Sequence, residues 1–132
     1  MTTGTWTPDA TAPTPPDSAV LAQAAELGQA DADTFPDQAV AQLSSLQPWM
    51  RRQQADWAGI ISPLDSATLV GLVRFFTLAE HHWAGWEGRD RNPVVWLCKE
   101  LKTRGEFPDA DLTRWIKDHT DNRFLPYGNP LA

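Results

Sequence analysis

Ser62-Pro63-Leu64-Asp65-Ser66-Ala67-Thr68-Leu69-Val70-Gly71-Leu72-Val73-Arg74-Phe75-Phe76-Thr77-Leu78-Ala79-Glu80-His81-His82-Trp83 is the stretch that decides the fold of this 132-residue chain. Its opening carries the marks of a helix start: Ser62 as cap, Pro63 in the first turn where a missing N–H is no loss, and Asp65 three residues after the cap. Leu69, Leu72, Val73, Phe76, Ala79 and Trp83 then share one face, while Val70, Phe75 and Leu78 lie on others. A helix that is apolar on nearly all sides is stable only when other helices surround it. The segment therefore predicts an all-α protein with 62–83 at its centre.

Working outward, Gly85 and Gly88 end this helix, with Trp86 and Glu87 in the loop between them. Asn92-Pro93 opens the next, Leu97 and Leu101 repeat on it, and Lys99, Lys102 and Arg104 precede Gly105 at the negative end of the helix dipole. Pro108, Asp109 and Asp111 start a last helix whose Leu112, Trp115, Ile116 and His119 face inward. On the other side, Pro36 and Asp37 lead a helix with Val40, Leu43 and Leu46 on one stripe. Pro48 interrupts it, and Trp49, Met50, Gln53 and Trp57 continue as a kinked or separate helix ending near Gly59. No alternating strand pattern of useful length occurs. The expectation is a compact bundle of four to five helices.

Charge and composition divide the chain. Residues 1–50 hold Asp9, Asp17, Glu26, Asp31, Asp33 and Asp37 with no basic residue, and the formal net charge is -6. Residues 1–16 combine Thr, Ala and repeated Pro with almost nothing to bury, which predicts a disordered acidic arm. Val20, Leu21, Ala24 and Leu27 add one short, loosely attached helix behind Asp17. The expected organisation is therefore an arm over 1–34 and a helical domain over 35–132, closed by a docked aromatic tail around Phe124, Leu125 and Tyr127.

The acidic leader disfavours nucleic acid, because phosphate binding needs a surplus of Lys and Arg. With one cysteine, Cys98, no intramolecular disulfide forms, and no apolar run approaches the roughly 18 residues of a membrane span. These features lead to the expectation of a cytoplasmic protein that does not enter membranes. No metal or cofactor is expected.

His81, His82 and His119 are the natural proton shuttles or metal ligands, and a small enzyme with a histidine-based site is one reading. Adjacent His81 and His82 point about 100° apart on a helix, so they do not form a chelating pair. Cys98 sits in an apolar stretch, where a thiol behaves as a small hydrophobe. No catalytic residue is assigned. A second reading takes residues 93–104 and 108–119 as a helix-turn-helix-like pair in a DNA-associated regulator. Asp109 and Asp111 at the front of the supposed reading helix oppose it.

The main anomaly is seven tryptophans. Trp83, Trp96 and Trp115 suit a core, whereas Trp49, Trp57 and Trp86 lie at element ends or in loops beside arginines. Loop-borne Trp with Arg is the composition of protein-binding hot spots. The leading expectation is thus a small non-catalytic adaptor or regulator. Its binding surface comprises Trp49, Arg52, Trp57, Trp86, Arg89 and Arg91, together with Arg123, Phe124 and Tyr127 if the tail is presented. The partner is another protein, with a second copy of this chain as a further candidate.

Overall fold

The computed structural model describes residues 16–30, 37–107, 110–122, 124 and 125. The arm over 1–15, Pro36, Pro108, Asp109, Arg123 and Tyr127, on which several expectations rest, lie outside the described residues. Helices α1 (Ser18–Gln29), α2 (Asp37–Gln42), α3 (Gln54–Ile61), α4 (Ser66–His82), α5 (Pro93–Thr103) and α6 (Ala110–His119) follow in order. A 3-10 helix, Ser44–Arg51, separates α2 from α3, and a shorter one, Arg89–Arg91, precedes α5. Among the described residues there is no strand, so the all-α expectation holds.

The helices outnumber the four or five expected because 37–61 is cut into three pieces. Pro48 sits inside the 3-10 helix, and a new α-helix starts at a capping box between Gln53 and Asp56. Proline lacks the N–H that a continuous α-helix would use, so the tighter geometry replaces it there.

α4 is the central element. Leu69, Leu72, Val73, Phe75, Phe76, Leu78 and Ala79 are all fully buried, and α1, α5 and α6 pack against the helix. Each large side chain removed from water contributes about 1.5–3 kcal/mol. The start of α4 is Asp65, not Ser62: the Asp65 carboxylate accepts from the Thr68 N–H at 2.7 Å. Those hydrogen bonds from Thr68 hold its carboxyl below the usual range. Ser62 instead closes α3, its N–H donating to the Ala58 carbonyl.

α1 is not a loose appendage of an arm. Leu21, Ala24, Ala25 and Gly28 are buried, and α1 forms the most extensive helix contact of the fold with α4. The backbones meet where both helices carry glycine: a Cβ on Gly71 would stand 2.6 Å from the Ala25 carbonyl oxygen, and one on Gly28 would overlap the Gly71 carbonyl. The boundary expected at 34/35 thus cuts through one core, which takes in α1 as well as the later helices.

Asn92 caps α5 as its sequence suggested, its side chain accepting from the Val94 N–H at 2.8 Å. At the other end Arg104 reaches across to α3. Its guanidinium donates to the carbonyls of Leu64 at 2.7 Å and of Ile61 and Ser62 at 3.3 Å, and pairs with Glu100 at 2.8 Å. Ile61, Ser62 and Leu64 lie at or just past the C-terminal end of α3, and Ile61 also accepts from the Leu64 N–H at 3.0 Å, so a cation here completes the capping of that end and meets the helix dipole.

Candidate functional site

The tryptophans take the opposite places to those expected. Trp57 and Trp86 are 0% and 1% exposed and Trp49 is 5% exposed, whereas Trp83, Trp96 and Trp115 are only partly covered. Trp49, Trp57, Phe76, Phe75 and Trp86 form a continuous edge-to-face series with ring separations of 5.0 to 6.2 Å. The Trp57 indole N–H donates to the Trp49 carbonyl at 3.2 Å, which removes the penalty of burying it. The 3-10 helix and the 85–92 loop fold inward over α4, and that carries their tryptophans into the core. As contact residues for a partner, Trp49, Trp57 and Trp86 are therefore corrected to a structural floor.

The cations stand above this floor. Arg51, Arg89 and Arg91 are exposed and Arg52 is partly exposed. Two bonds knit the face together. Arg51 Nε donates to the Glu87 carbonyl at 2.6 Å, and Gln47 donates to the Gly85 carbonyl at 2.8 Å. Between the 3-10 helix and the loop lies a shallow cleft of about 350 Å³ lined by Gln47, Pro48, Met50, Arg51, Gly85 and Glu87. Beside it, the half-buried Trp96 donates to the Arg52 carbonyl at 3.1 Å, and the Lys99 ammonium lies 5.3 Å from the Trp96 ring centre.

A buried polar cluster fixes the loop from beneath. Glu80, whose side chain is 2% exposed, accepts at Oε1 from the side-chain amides of Asn92 at 2.6 Å and Asn122 at 2.9 Å. Its Oε2 accepts from the Arg89 backbone N–H at 3.1 Å, and the Arg89 carbonyl accepts from Asn122 at 3.0 Å. A carboxylate shut from water is tolerable when its lone pairs are filled in this way. Arg89 is held at φ 52°, a left-handed conformation uncommon outside glycine and asparagine. Loop strain of this kind persists only where the surroundings over-determine it.

Of this cluster, Arg89 was expected at a binding surface, whereas Glu80, Asn92 and Asn122 were not expected as functional. The signal was present in that Arg74 and Glu80 are the only Lys, Arg, Asp or Glu residues within α4. A charge on a helix surrounded by others must be paired or serve something outside the core.

The remaining candidates sort by position. His81 and His82 are exposed at the end of α4 with rings 4.9 Å apart and nearly perpendicular. His119 stacks on Trp115 at 4.2 Å and donates from Nδ1 to the Trp115 carbonyl at 2.7 Å. Among the described residues, no group of three or more His, Cys, Asp and Glu is placed to hold a metal ion. Burial pushes the Cys98 thiol up to about 12, away from the thiolate that nucleophilic chemistry requires.

In place of a helix-turn-helix pair, α6 packs on α4. Its exposed Arg114 and Lys117 share the helix with exposed Asp111 and Asp118, and Arg104, at the end of the first helix of that pair, is occupied by the end of α3. Of the tail residues, Phe124 is half-buried and Leu125 is 3% exposed. No helix among the described residues is long and apolar enough to cross a membrane.

No protein-family model, curated protein or solved structure matches this chain.

Proposed function

We propose that the chain is a small non-catalytic module that binds another protein through the cleft between the 3-10 helix Ser44–Arg51 and the 85–92 loop, together with the exposed Arg51, Arg89 and Arg91 that these segments carry. The observation that supports it most is the pairing of a rigid, strained loop with cations left facing solvent. Glu80, Asn92 and Asn122 saturate one another and the Arg89 backbone, while the Arg91 side chain has no partner among the described residues. Preordered contact surfaces bind with less ordering entropy, and arginine is enriched at binding hot spots. The tryptophans contribute from below: the Arg52 guanidinium lies 5.9 Å from the Trp49 ring centre, while Arg51 is held by the Glu87 carbonyl.

The test is affinity capture from native lysate with the full chain, comparing wild type, Arg51→Glu/Arg91→Glu and Lys117→Glu. A protein retained in stoichiometric amount by the wild type and by Lys117→Glu, and lost with the double substitution, supports the cleft. Retention of the same proteins by all three chains, or of none by any, overturns it.

A further inference from the structure

The two charges of α4 meet different fates, and the difference marks a second site. Glu80 is fully partnered inside the protein. Arg74, two turns earlier, has no ion pair or hydrogen bond among the described residues, and its Nε is shut from solvent without an acceptor. Its guanidinium carbon stands 5.4 Å from the centre of the Trp115 ring. Trp115 is itself half-buried, with His119 stacked on it at 4.2 Å and an interplanar angle of 20°. Of the two exposed acids on α6, Asp111 pairs with Arg114 at 3.8 Å, and Asp118 makes no ion pair with Arg74.

From this arrangement we propose that Arg74 and Trp115 form a docking point for a glutamate or aspartate side chain on a peptide segment of a partner protein. The site lies on the α4/α6 face and stands independently of the cleft reading. Charge complementarity argues for this occupant. Arg74 is a positive charge with no counter-ion among the described residues, and its Nη groups are not closed off as Nε is. A carboxylate can approach that free end with two parallel N–H···O bonds. The indole holds the guanidinium plane in place, so little side-chain freedom is lost on binding. A half-covered tryptophan stacked against arginine also supplies the apolar rim that shields such a bond from water. His119, tied by Nδ1 to the Trp115 carbonyl, keeps the ring from swinging away.

The experiment is a titration of the isotope-labelled full chain with a capped hexaglutamate peptide, followed through the Arg74 Nε–H and Trp115 Nε1–H resonances. Capped hexaglutamine and inorganic phosphate serve as comparison probes. The expected result is a saturable shift of both resonances with hexaglutamate and little movement with hexaglutamine. Binding should weaken at least about tenfold in Arg74→Gln and be partly kept in Arg74→Lys. Three outcomes overturn the proposal: shifts spread evenly over the exposed lysines, an equal response to phosphate, or shifts at Trp115 on dilution of the free protein, which would place a second copy at this face. Because the wild-type titration alone decides between these, a variant that failed to fold would not leave the question open.

Discussion

Glu80 and Asn122 meet inside the protein across 42 residues of chain, the carboxylate Oε1 accepting from the asparagine amide at 2.9 Å. Asn122 simultaneously holds the Arg89 carbonyl and, through its own side-chain oxygen, accepts from the Phe124 N–H at 3.0 Å. One buried carboxylate thus ties the end of α4, the following loop, the start of α5 and the segment after α6 into a single unit. Replacing it by the isosteric amide sets N–H groups against N–H groups. Glu80→Gln is expected to lower stability by about 3 kcal/mol in urea unfolding. Arg89→Gly should stay within about 1 kcal/mol of wild type. Its ion pairs to Glu80 and Asp121 are both 3.5 Å long on a side chain 51% exposed, and glycine relieves the left-handed backbone. A large loss for Arg89→Gly with little for Glu80→Gln would reverse the roles assigned to them.

The glycines of the α1/α4 seam give a second expectation. Ala at either Gly28 or Gly71 must push backbone against backbone, so each substitution should destabilise by about 1–3 kcal/mol or more. Gly59 in α3 is the internal control: a Cβ there meets nothing within 4 Å, and Gly59→Ala should stabilise by roughly 0.5–1 kcal/mol through helix propensity alone. Thermal or urea unfolding of the three variants separates the cases by sign.

How far the sequence could be read differs between these features for physical reasons. α5 was legible at both ends, because Asn92, Pro93 and Gly105 act locally and tertiary contacts leave such signals intact. The docking of α1 was not. An alanine and glycine face carries little hydrophobic signal, and its strength lies in a close approach that only the partner helix reveals. The tryptophans misled for a related reason: a residue in a loop is not thereby exposed, and where the 85–92 loop runs depends on Glu80. That glutamate was visible as a lone acid on an apolar helix, but its partners lie up to 42 residues away.

The inverted tryptophans make a third prediction. Trp57→Ala should cost about 3–5 kcal/mol, as a buried aromatic does, whereas Trp115→Ala should cost less than half as much. Acrylamide quenching of single-tryptophan chains should follow the same order, with Trp57 and Trp86 protected and Trp96 and Trp115 accessible. Loss of a partner in Trp86→Ala would consequently report unfolding, and only substitutions at Arg51 or Arg91 test the surface.

Cys98 supplies a prediction with a defined pH window. Burial raises its thiol from 9.0 to about 12, so between these values the unfolded chain releases the proton and the folded chain retains it. The unfolded state then binds fewer protons, and this contribution to stability is lost as the pH rises through that window. Cys98→Ala should flatten that part of the pH–stability profile. Near neutral pH the native thiol should react with a disulfide reagent only as fast as the protein opens, and at once in urea. Rapid reaction of the native protein would show the thiol to be accessible.

The seam between α1 and α4 also bears on the order in which the protein takes shape during synthesis. Gly28 and Gly71 are 43 positions apart, so at 5–20 residues per second α1 waits about 2–9 s for the helix it packs against. A leucine seam left open that long would present a sticky surface to other nascent chains. One whose closest approach is built from Ala24, Ala25 and Gly28, with Leu21 as the one large buried side chain of α1, exposes less apolar area while it waits, and gains most of its hold when a backbone of matching shape arrives.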